Sequence, residues 1–225
     1  MTNPVPPAPI NEPLRGVAPG VASALAQARA FGYLGPGPLQ IHVDHAYGFG
    51  QVIHEALGVH NVNAPLRIVD LGSGGGVPGL ILADAWPVST WAFVDSHQRR
   101  MATLTTVLAE LGLADRCTVQ VGRAEEVAHR SELRAGFDAV VARGFAAPSV
   151  TAECAAGFLR IGGVLVVSEP PAGEDRWSDR GLARLGLARR PSAANDFRFF
   201  VAEQVSLCSS TYPRSVGHPA KTPLF

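Results

Sequence analysis

Hydrophobic residues gather into short, nearly uninterrupted runs beyond the first sixty residues of the chain. The clearest runs are residues 66–71, 90–95, 117–121, 137–142 and 163–168. Runs of this length without polar alternation predict strands that are buried on both faces, as in a parallel sheet. Segments with helical character separate most of them. This order predicts an α/β domain in which helices cover both faces of a mostly parallel sheet.

The segments outside these runs predict the helices and the end of the fold. Helices are expected over residues 21–31, 42–57, 79–85, 98–111, 149–159 and 176–190. Residues 197–207 alternate between apolar and polar positions and predict one strand of a closing antiparallel hairpin. We therefore expect an N-terminal extension with helices over residues 1–60, and a main domain over residues 61–225.

Composition narrows the class of protein. With 225 residues, 47% of them hydrophobic, the chain can bury a substantial core. Its net charge of zero gives no global signal for nucleic acid or a membrane, so any basic surface must be local. Cys117, Cys154 and Cys208 are far apart and lack metal-ligand spacing, which indicates reduced thiols in a cytoplasmic protein without a bound metal. The proline-rich start has no export signal and is expected to be loose, and no apolar run is long enough for a membrane span.

A glycine-rich loop follows the run at residues 66–71. Gly72, Gly74 and Gly76 let the backbone turn sharply and let a ligand approach closely, because glycine has no Cβ. Pro78 and Gly79 follow, and Pro78 suits the first turn of a helix. A strand, a glycine loop and a helix in this order predict the nucleotide-binding corner of an open α/β sheet.

Two acidic residues bear on the choice of cofactor. A dinucleotide loop would place its third glycine at residue 77, where the chain has valine, and Asp70 at the strand end would repel a diphosphate. An acid there suits a cofactor with a cationic end, although a NAD-type site is the alternative. Asp95 ends the next strand, roughly 20 residues after the loop, which is the distance at which an acid meets ribose hydroxyls. Alternatively, Asp95 only caps the helix that begins near Ser96.

The glycine loop resembles the first motif of class I S-adenosylmethionine-dependent methyltransferases, and several separate segments resemble one family. That family is the bacterial glucose-inhibited division protein B group, whose members methylate N7 of a guanine in 16S ribosomal RNA. The segments that carry the resemblance are residues 70–79, 95–100, 122–126, 142–146 and 212–224. The last segment, a basic and proline-rich tail that begins at about residue 212, is the most specific of them.

The resemblance implies a fold, a cofactor and a set of binding residues. The fold would be the Rossmann-like class I methyltransferase fold, with a mostly parallel seven-stranded sheet and a C-terminal antiparallel hairpin, and the cofactor would be S-adenosylmethionine. The glycine loop and Asp70 would hold its methionine part, Asp95 its ribose, and Ala124 and Glu125 its adenine. Ser96 would also bind the cofactor. The implied loop residues are Asp70, Gly72, Ser73, Gly74, Gly76, Pro78 and Gly79.

The resemblance also implies ribosomal RNA or a small-subunit particle as the partner. Arg143 would lie at the end of the fourth strand and face the cleft. As the implied catalytic residue, it would contact the cofactor and either a guanine edge or a phosphate. The alternative for Arg143 is an ion pair with a nearby acid. In the tail, Arg214 and Lys221, with His218, would contact RNA along an extended segment, whereas an ordinary terminus would only be solvated.

Some residues depart from the family pattern. After the fifth strand the family normally has a lysine and a glycine, whereas this chain has Glu169 and Pro170. A carboxylate there favours a second hypothesis, in which a family relative methylates a small molecule. A third hypothesis is a module that binds S-adenosylmethionine without turnover.

The acceptor decides whether a general base is needed. Guanine N7 carries an exposed lone pair, so its methylation requires alignment rather than removal of a proton. A hydroxyl or amine acceptor would require a base, for which His42, His45 and His54 are the candidates.

Overall fold

The computed structural model describes residues 14–59, 61, 63–192 and 196–225, so most of the N-terminal segment predicted to be loose lies outside the described residues. The helices are α1 (Pro19–Ala30), α2 (Leu39–Leu57), α3 (Gly79–Ala85), α4 (Gln98–Glu110), α5 (Ala124–Val127), α6 (Pro148–Ala156), α7 (Asp179–Arg184) and α8 (His218–Lys221). The strands are β1 (Arg67–Leu71), β2 (Thr90–Asp95), β3 (Cys117–Val121), β4 (Phe137–Ala142), β5 (Leu159–Ser168), β6 (Leu187–Arg190) and β7 (Phe199–Gln204).

The strands form one seven-stranded sheet in the order β3-β2-β1-β4-β5-β7-β6. Strands β1 to β5 are parallel, β7 is antiparallel to β5, and β6 is antiparallel to β7. The predicted mostly parallel sheet with a C-terminal antiparallel hairpin is therefore confirmed.

Both faces of the sheet are buried, because successive side chains of each strand point to opposite faces. In β1, Val69 and Leu71 join a core cluster that includes Cys154 of α6. Ile68 joins a second cluster on the other face, which includes Phe49 of α2. Burial on both sides explains why the strands are apolar at nearly every position.

The predicted helix over residues 176–190 is wrong. Helix α7 ends at Arg184, and Gly186 then adopts a left-handed conformation with φ of +76°. A Cβ at Gly186 would lie 2.4 Å from the carbonyl oxygen of Ser206, so a side chain would not fit at this turn. The chain reverses there, and residues 187–190 form the edge strand β6, whose Arg190 side chain forms an ion pair with Glu203 of β7.

Three other features differ from expectation. Strand β5 begins at Leu159, four residues earlier than the apolar run predicts, and it takes the last residue expected in the preceding helix. The tail is not extended throughout, because residues 218–221 form the short helix α8. Pro78 precedes α3 as its N-cap rather than lying in its first turn.

The topology produces a crevice at one edge of the sheet. Strands β1 and β4 are neighbours, although β2 and β3 lie on the other side of β1, so the strand order reverses between them. Ligands of open α/β sheets bind outside the carboxyl ends of the strands at such a point. Helix α2 packs against β5, and α1 against α3. No helix in the described ranges is long and apolar enough to span a membrane.

Candidate active site

The loop between β1 and α3 passes close to the turn that follows β4. Gly72 has φ of +76°, and a Cβ there would lie 2.8 Å from Cδ2 of Phe145. The Gly72 amide donates a hydrogen bond to the carbonyl of Val94 at 2.8 Å. The predicted glycine requirement at residue 72 thus has a steric cause, namely its contact with the β4 turn.

Asp70 lies beneath this loop and is 1% exposed. Its Oδ2 accepts a hydrogen bond from the Gly79 amide at 2.8 Å, and a Cβ at Gly79 would lie 2.5 Å from the same oxygen. Burial raises the pKa of Asp70 to about 7, although the Gly79 hydrogen bond opposes the shift. In this arrangement Asp70 supports the loop through the Gly79 amide. Its contact with the methionine part of a cofactor stays a prediction.

Asp95 connects the glycine loop to the start of α4. Its Oδ2 accepts from the Gly74 amide at 2.9 Å, and its Oδ1 accepts from the His97 amide at 2.8 Å. An ionised carboxylate offers about four lone-pair sites, so both oxygens keep capacity for further donors such as hydroxyls. The contact with His97 is the helix-start contact that the capping alternative expected, and it leaves room for the ribose role.

A cavity of about 490 Å³ opens beside Asp95 at the carboxyl edge of the sheet. Five residues predicted to bind the cofactor line it, namely Gly72, Asp95, Ser96, Ala124 and Glu125. The sequence interpretation missed other lining residues, among them His97, Arg100, Arg123 and Phe145. Ser73, Gly74, Gly76, Pro78 and Gly79 build the adjoining loop without lining this cavity, and the Ser73 hydroxyl donates to the Asp70 carbonyl at 2.8 Å.

The C-terminal tail forms part of the cavity wall, which the sequence analysis did not predict. Ala220 and Pro223 line the cavity beside the residues from the strand ends. The Gly217 amide donates to Oε1 of Glu125 at 3.1 Å, and Arg123 donates to the same oxygen at 3.0 Å. Burial alone would raise the pKa of Glu125, but these hydrogen bonds lower it below its usual value. Glu125 therefore holds the tail, and its place beside adenine stays a prediction.

Arg214 is attached to the fold through a buried acid. Its Nη2 lies 2.6 Å from Oε2 of Glu153, and both its Nε and its backbone N lie 2.8 Å from Oε1. Glu153 is completely buried. Arg214 therefore has a structural role that the sequence did not indicate, and its contact with RNA stays a prediction, as does that of Lys221, which is exposed on α8.

Arg143 lies just beyond β4, as predicted, but its side chain contacts α2. Its Nη2 lies 2.6 Å from Nδ1 of His42, whose Nε2 lies 3.3 Å from the carbonyl of Gly35. Burial, together with the nearby Arg143 charge, lowers the pKa of His42. Arg143 does not line the cavity beside Asp95. Its contact with cofactor or guanine stays a prediction.

The other two candidate bases have different surroundings. Nε2 of His45 lies 2.9 Å from the Ser168 hydroxyl, and burial lowers the pKa of His45 to about 4. His54 stacks on Trp86 with ring centroids 4.5 Å apart, within the core between α2 and α3. Of the three histidines, His42 and His45 approach the strand ends that carry Arg143 and Ser168.

A second cavity of about 340 Å³ lies beside the first, and the two share Gly144, Phe145 and Ala146 as lining residues. Glu169 also lines the second cavity, where its carboxylate pairs with Arg176 at 2.9 Å. The carboxylate that favoured a small-molecule acceptor is therefore neutralised by a neighbouring guanidinium.

Comparison with known proteins decides the family. The sequence profile of the GidB family, described as rRNA small subunit methyltransferase G, matches residues 51–177. A protein of Parasynechococcus marenigrum named ribosomal RNA small subunit methyltransferase G is 34% identical over 170 residues, covering 69% of this chain and 66% of that protein. A Prochlorococcus marinus protein of the same name is 34% identical over 180 residues, covering 74% and 71% respectively. The chain belongs to the GidB family.

Solved structures share the fold of this chain. Aeropyrum pernix fibrillarin, solved with natively bound S-adenosyl-L-methionine, superposes with a TM-score of 0.51 at 20% identity, over 70% of this chain and 75% of that one. The antibiotic-resistance methyltransferase Kmr also gives 0.51, at 17% identity, over 68% and 91%. These likenesses establish the class I methyltransferase fold. Membership of GidB confirms the predicted enzyme class, a methyltransferase that uses S-adenosylmethionine.

Proposed function

We propose that this chain transfers the methyl group of S-adenosylmethionine to N7 of a guanine in 16S ribosomal RNA. The observation that carries the proposal is the cavity beside Asp95, bounded by the glycine loop, in a chain of the GidB family. We further propose that the reaction takes place in the cytoplasm, and that residues 61–225 form the methyltransferase domain behind an extension of residues 1–60.

The residues around the cavity fit the cofactor. Asp95 keeps lone pairs for ribose hydroxyls, while the Gly74 and His97 amides fix its position. Ser96 adds a further polar group at the same place, and Ala124 offers an apolar surface to a purine. The volume of about 490 Å³ lies within the range of roughly 300 to 1,000 Å³ for small-molecule sites.

Among the described residues, the strand ends carry no histidine that is activated as a general base, which agrees with methylation at guanine N7. When bound, S-adenosylmethionine supplies a methyl group on a positively charged sulfur, which a guanine N7 lone pair can accept without prior loss of a proton. Nδ1 of His42 is occupied by the Arg143 guanidinium, and burial lowers the pKa of His42, and that of His45 to about 4, which makes both imidazoles weaker bases. We therefore assign to Arg143 the task of orienting the acceptor, and to the protein as a whole the task of alignment.

The test is methyl transfer to small-subunit particles from cells that lack this chain. Tritiated S-adenosylmethionine is supplied with the purified protein, and the RNA is digested to nucleosides to identify 7-methylguanosine. The Asp95→Ala variant serves as the cofactor-binding control. Absence of label from the RNA, with a wild-type protein that binds the cofactor, would overturn the proposal.

A second candidate is a small-molecule methyltransferase, which the zero net charge favours. Neutralisation of Glu169 by Arg176 weakens this candidate, because the carboxylate no longer presents an unpaired negative charge. The same labelling experiment includes a metabolite extract. Label confined to the metabolite fraction would support this candidate, whereas cofactor binding without label in either fraction would indicate a module without turnover.

A further inference from the structure

The second cavity carries an assignment that goes beyond the cofactor site. We propose that Arg176, held in place by Glu169, binds a phosphate of the RNA strand at the second cavity, next to the acceptor nucleotide. The proposal rests on the proposed function, because it names how this chain would hold its RNA substrate. Arg176 would be a substrate-binding residue and Glu169 a positioning residue.

The position of the cavity suits an acceptor strand. It shares the turn of residues 144–146 with the cofactor cavity, so the two spaces lie side by side around Phe145. Ser168 at the carboxyl end of β5 forms part of its lining. A ligand in this cavity would therefore lie next to a ligand in the first cavity, as methyl transfer between them requires.

The ion pair between Arg176 and Glu169 fixes one edge of the guanidinium. Arg176 Nη2 lies 2.9 and 3.0 Å from the two carboxylate oxygens, and its Nε lies 3.3 Å from Oε2. The Glu169 side chain is only 9% exposed, whereas the Arg176 side chain is 46% exposed. The acid is thus enclosed, and the cation presents its remaining surface to solvent.

Trp177 makes this arrangement rigid. Its indole Nε1 donates to Oε1 of Glu169 at 3.2 Å, and its ring stacks on Phe200 of β7 with centroids 3.7 Å apart. The backbone of Glu169 is also fixed, because its amide donates to the carbonyl of Arg198, the residue before β7, at 2.9 Å. The Glu169 carboxylate is therefore held by two side chains, Arg176 and Trp177, before any ligand binds.

Arginine chemistry explains why this pair suits a phosphate. A guanidinium has five N–H donors in a planar fork, and Glu169 uses only the Nε and Nη2 side. None of the described hydrogen bonds of Arg176 uses the Nη1 donors, which therefore remain for an anion. A nucleic-acid phosphate is the anion that an RNA strand in the second cavity would bring.

The surrounding charges also favour an anion. The exposed Arg198 donates through Nη1 to the carbonyl of Pro170 at 3.1 Å, which places a second cation beside the cavity lining. Of the two acids on the intervening loop, Asp175 pairs with Arg189 at 2.8 Å, and the exposed Glu174 does not line the cavity. The acid that does line the cavity, Glu169, is already paired with Arg176, and Arg198 lies beside that lining.

The test measures the salt dependence of the reaction for the Arg176→Gln variant. Each phosphate contact with single-stranded RNA contributes a slope of about −0.7 in a plot of log affinity against log salt concentration. We expect Arg176→Gln to raise KM for small-subunit particles several-fold and to flatten that slope by about 0.7, with unchanged affinity for S-adenosylmethionine. The Arg176→Lys variant should keep the slope but raise KM, because lysine keeps the charge and lacks the fork.

The chain offers a matched control in Arg160→Gln. Arg160 is 47% exposed and pairs with Asp138 at 2.7 Å, but this pair lies at the opposite end of β4 and β5. Equal slopes for Arg176→Gln, Arg160→Gln and the wild-type protein would overturn the proposal. Loss of cofactor affinity or of folding stability in Arg176→Gln alone would also overturn it, by showing a structural role. Failure of the wild-type protein to methylate RNA would instead overturn the proposed function.

Discussion

The guanidinium of Arg143 and the imidazole of His42 are joined across 2.6 Å, although 101 positions separate them in the chain. The contact connects the carboxyl end of β4 to α2. Because an arginine only donates, Nδ1 of His42 must be the acceptor, and the ring proton must be on Nε2. Nε2 is then placed to donate to the Gly35 carbonyl at 3.3 Å. His42 is thus oriented to position Arg143 rather than to remove a proton.

Replacement of His42 tests this orientation. A hydrogen bond to a charged group contributes roughly 1.5 to 3 kcal/mol, so we expect His42→Ala to lower kcat by about tenfold or more. His42→Asn should keep much of the activity, since its amide oxygen can replace Nδ1 as an acceptor. Rates are measured by methyl transfer to small-subunit particles, with unfolding midpoints as the control for folding.

The dependence of activity on pH distinguishes positioning of Arg143 by His42 from general-base catalysis by His42. If His42 only positions Arg143, the activity of His42→Asn should depend on pH as in the wild-type protein. A general base would give a different result, because its removal abolishes the limb of the profile that its pKa controls. Loss of that limb in His42→Asn would contradict the positioning role.

Arg214 and Glu153 are expected to fix the C-terminal tail to the domain. Arg214→Ala leaves the buried Glu153 carboxylate without its charged partner, which typically costs about 3 to 5 kcal/mol of stability. Because Ala220 and Pro223 line the cavity beside Asp95, where we propose that the cofactor binds, the affinity for S-adenosylmethionine should fall as well. Urea unfolding and calorimetry measure the two effects.

The exposed Lys221 provides the control on the same tail. Lys221→Ala should change the free energy of unfolding by no more than about 0.5 kcal/mol. If Lys221 contacts RNA as the sequence suggests, the variant should also flatten the salt dependence of RNA binding. Equal destabilisation by Arg214→Ala and Lys221→Ala would contradict the role of the buried ion pair.

The local pattern of apolar residues was sufficient to predict the parallel strands of the sheet. The runs at residues 90–95, 117–121 and 137–142 coincide with β2, β3 and β4, because strands buried on both faces must be apolar throughout. The pattern failed at residues 187–190. There the strand is an edge strand with exposed arginines, so its residues resemble a solvated helix face until the left-handed turn at Gly186 is known.

The sequence predicted only those parts of the candidate site that are built by neighbouring segments of the chain. The glycine loop and Asp95 lie on consecutive strand ends, so their spacing alone brought them together. The contact of Gly217 with Glu125 spans 92 positions, and nothing in either segment indicates the other. The same holds for Arg214, whose charge suggested RNA because its buried partner is distant in sequence.

Asp95 should be the most sensitive of the cofactor residues. Asp95→Ala removes the acceptors for the Gly74 and His97 amides together with any ribose contact, so we expect the affinity for S-adenosylmethionine to fall by about 100-fold, or roughly 3 kcal/mol. Asp95→Asn keeps one oxygen and should lose less. The exposed acid Asp115 supplies a control, because Asp115→Asn removes the same charge away from the cavity. Similar affinities for Asp95→Ala and the wild-type protein, measured by calorimetry, would exclude Asp95 from the site.

Asp70 should make stability depend on pH in the direction opposite to that of most carboxylates. Its pKa is about 7 in the fold, mainly because of burial, against 3.8 ordinarily. The folded state therefore binds this proton more tightly than the unfolded state does. The resulting stabilisation is complete below pH 3.8 and is lost as the pH rises through about 7.

Comparison with Asp70→Asn isolates this contribution, because asparagine keeps an oxygen for the Gly79 amide and does not ionise. Between pH 4 and pH 8, the free energy of unfolding of Asp70→Asn should rise relative to that of the wild-type protein by on the order of 4 kcal/mol. Urea titrations at several pH values measure the difference, in which the other titrating groups largely cancel. A difference that stays constant with pH would mean that Asp70 is ionised in the fold, and therefore available as a counter-charge to the cationic end of the cofactor.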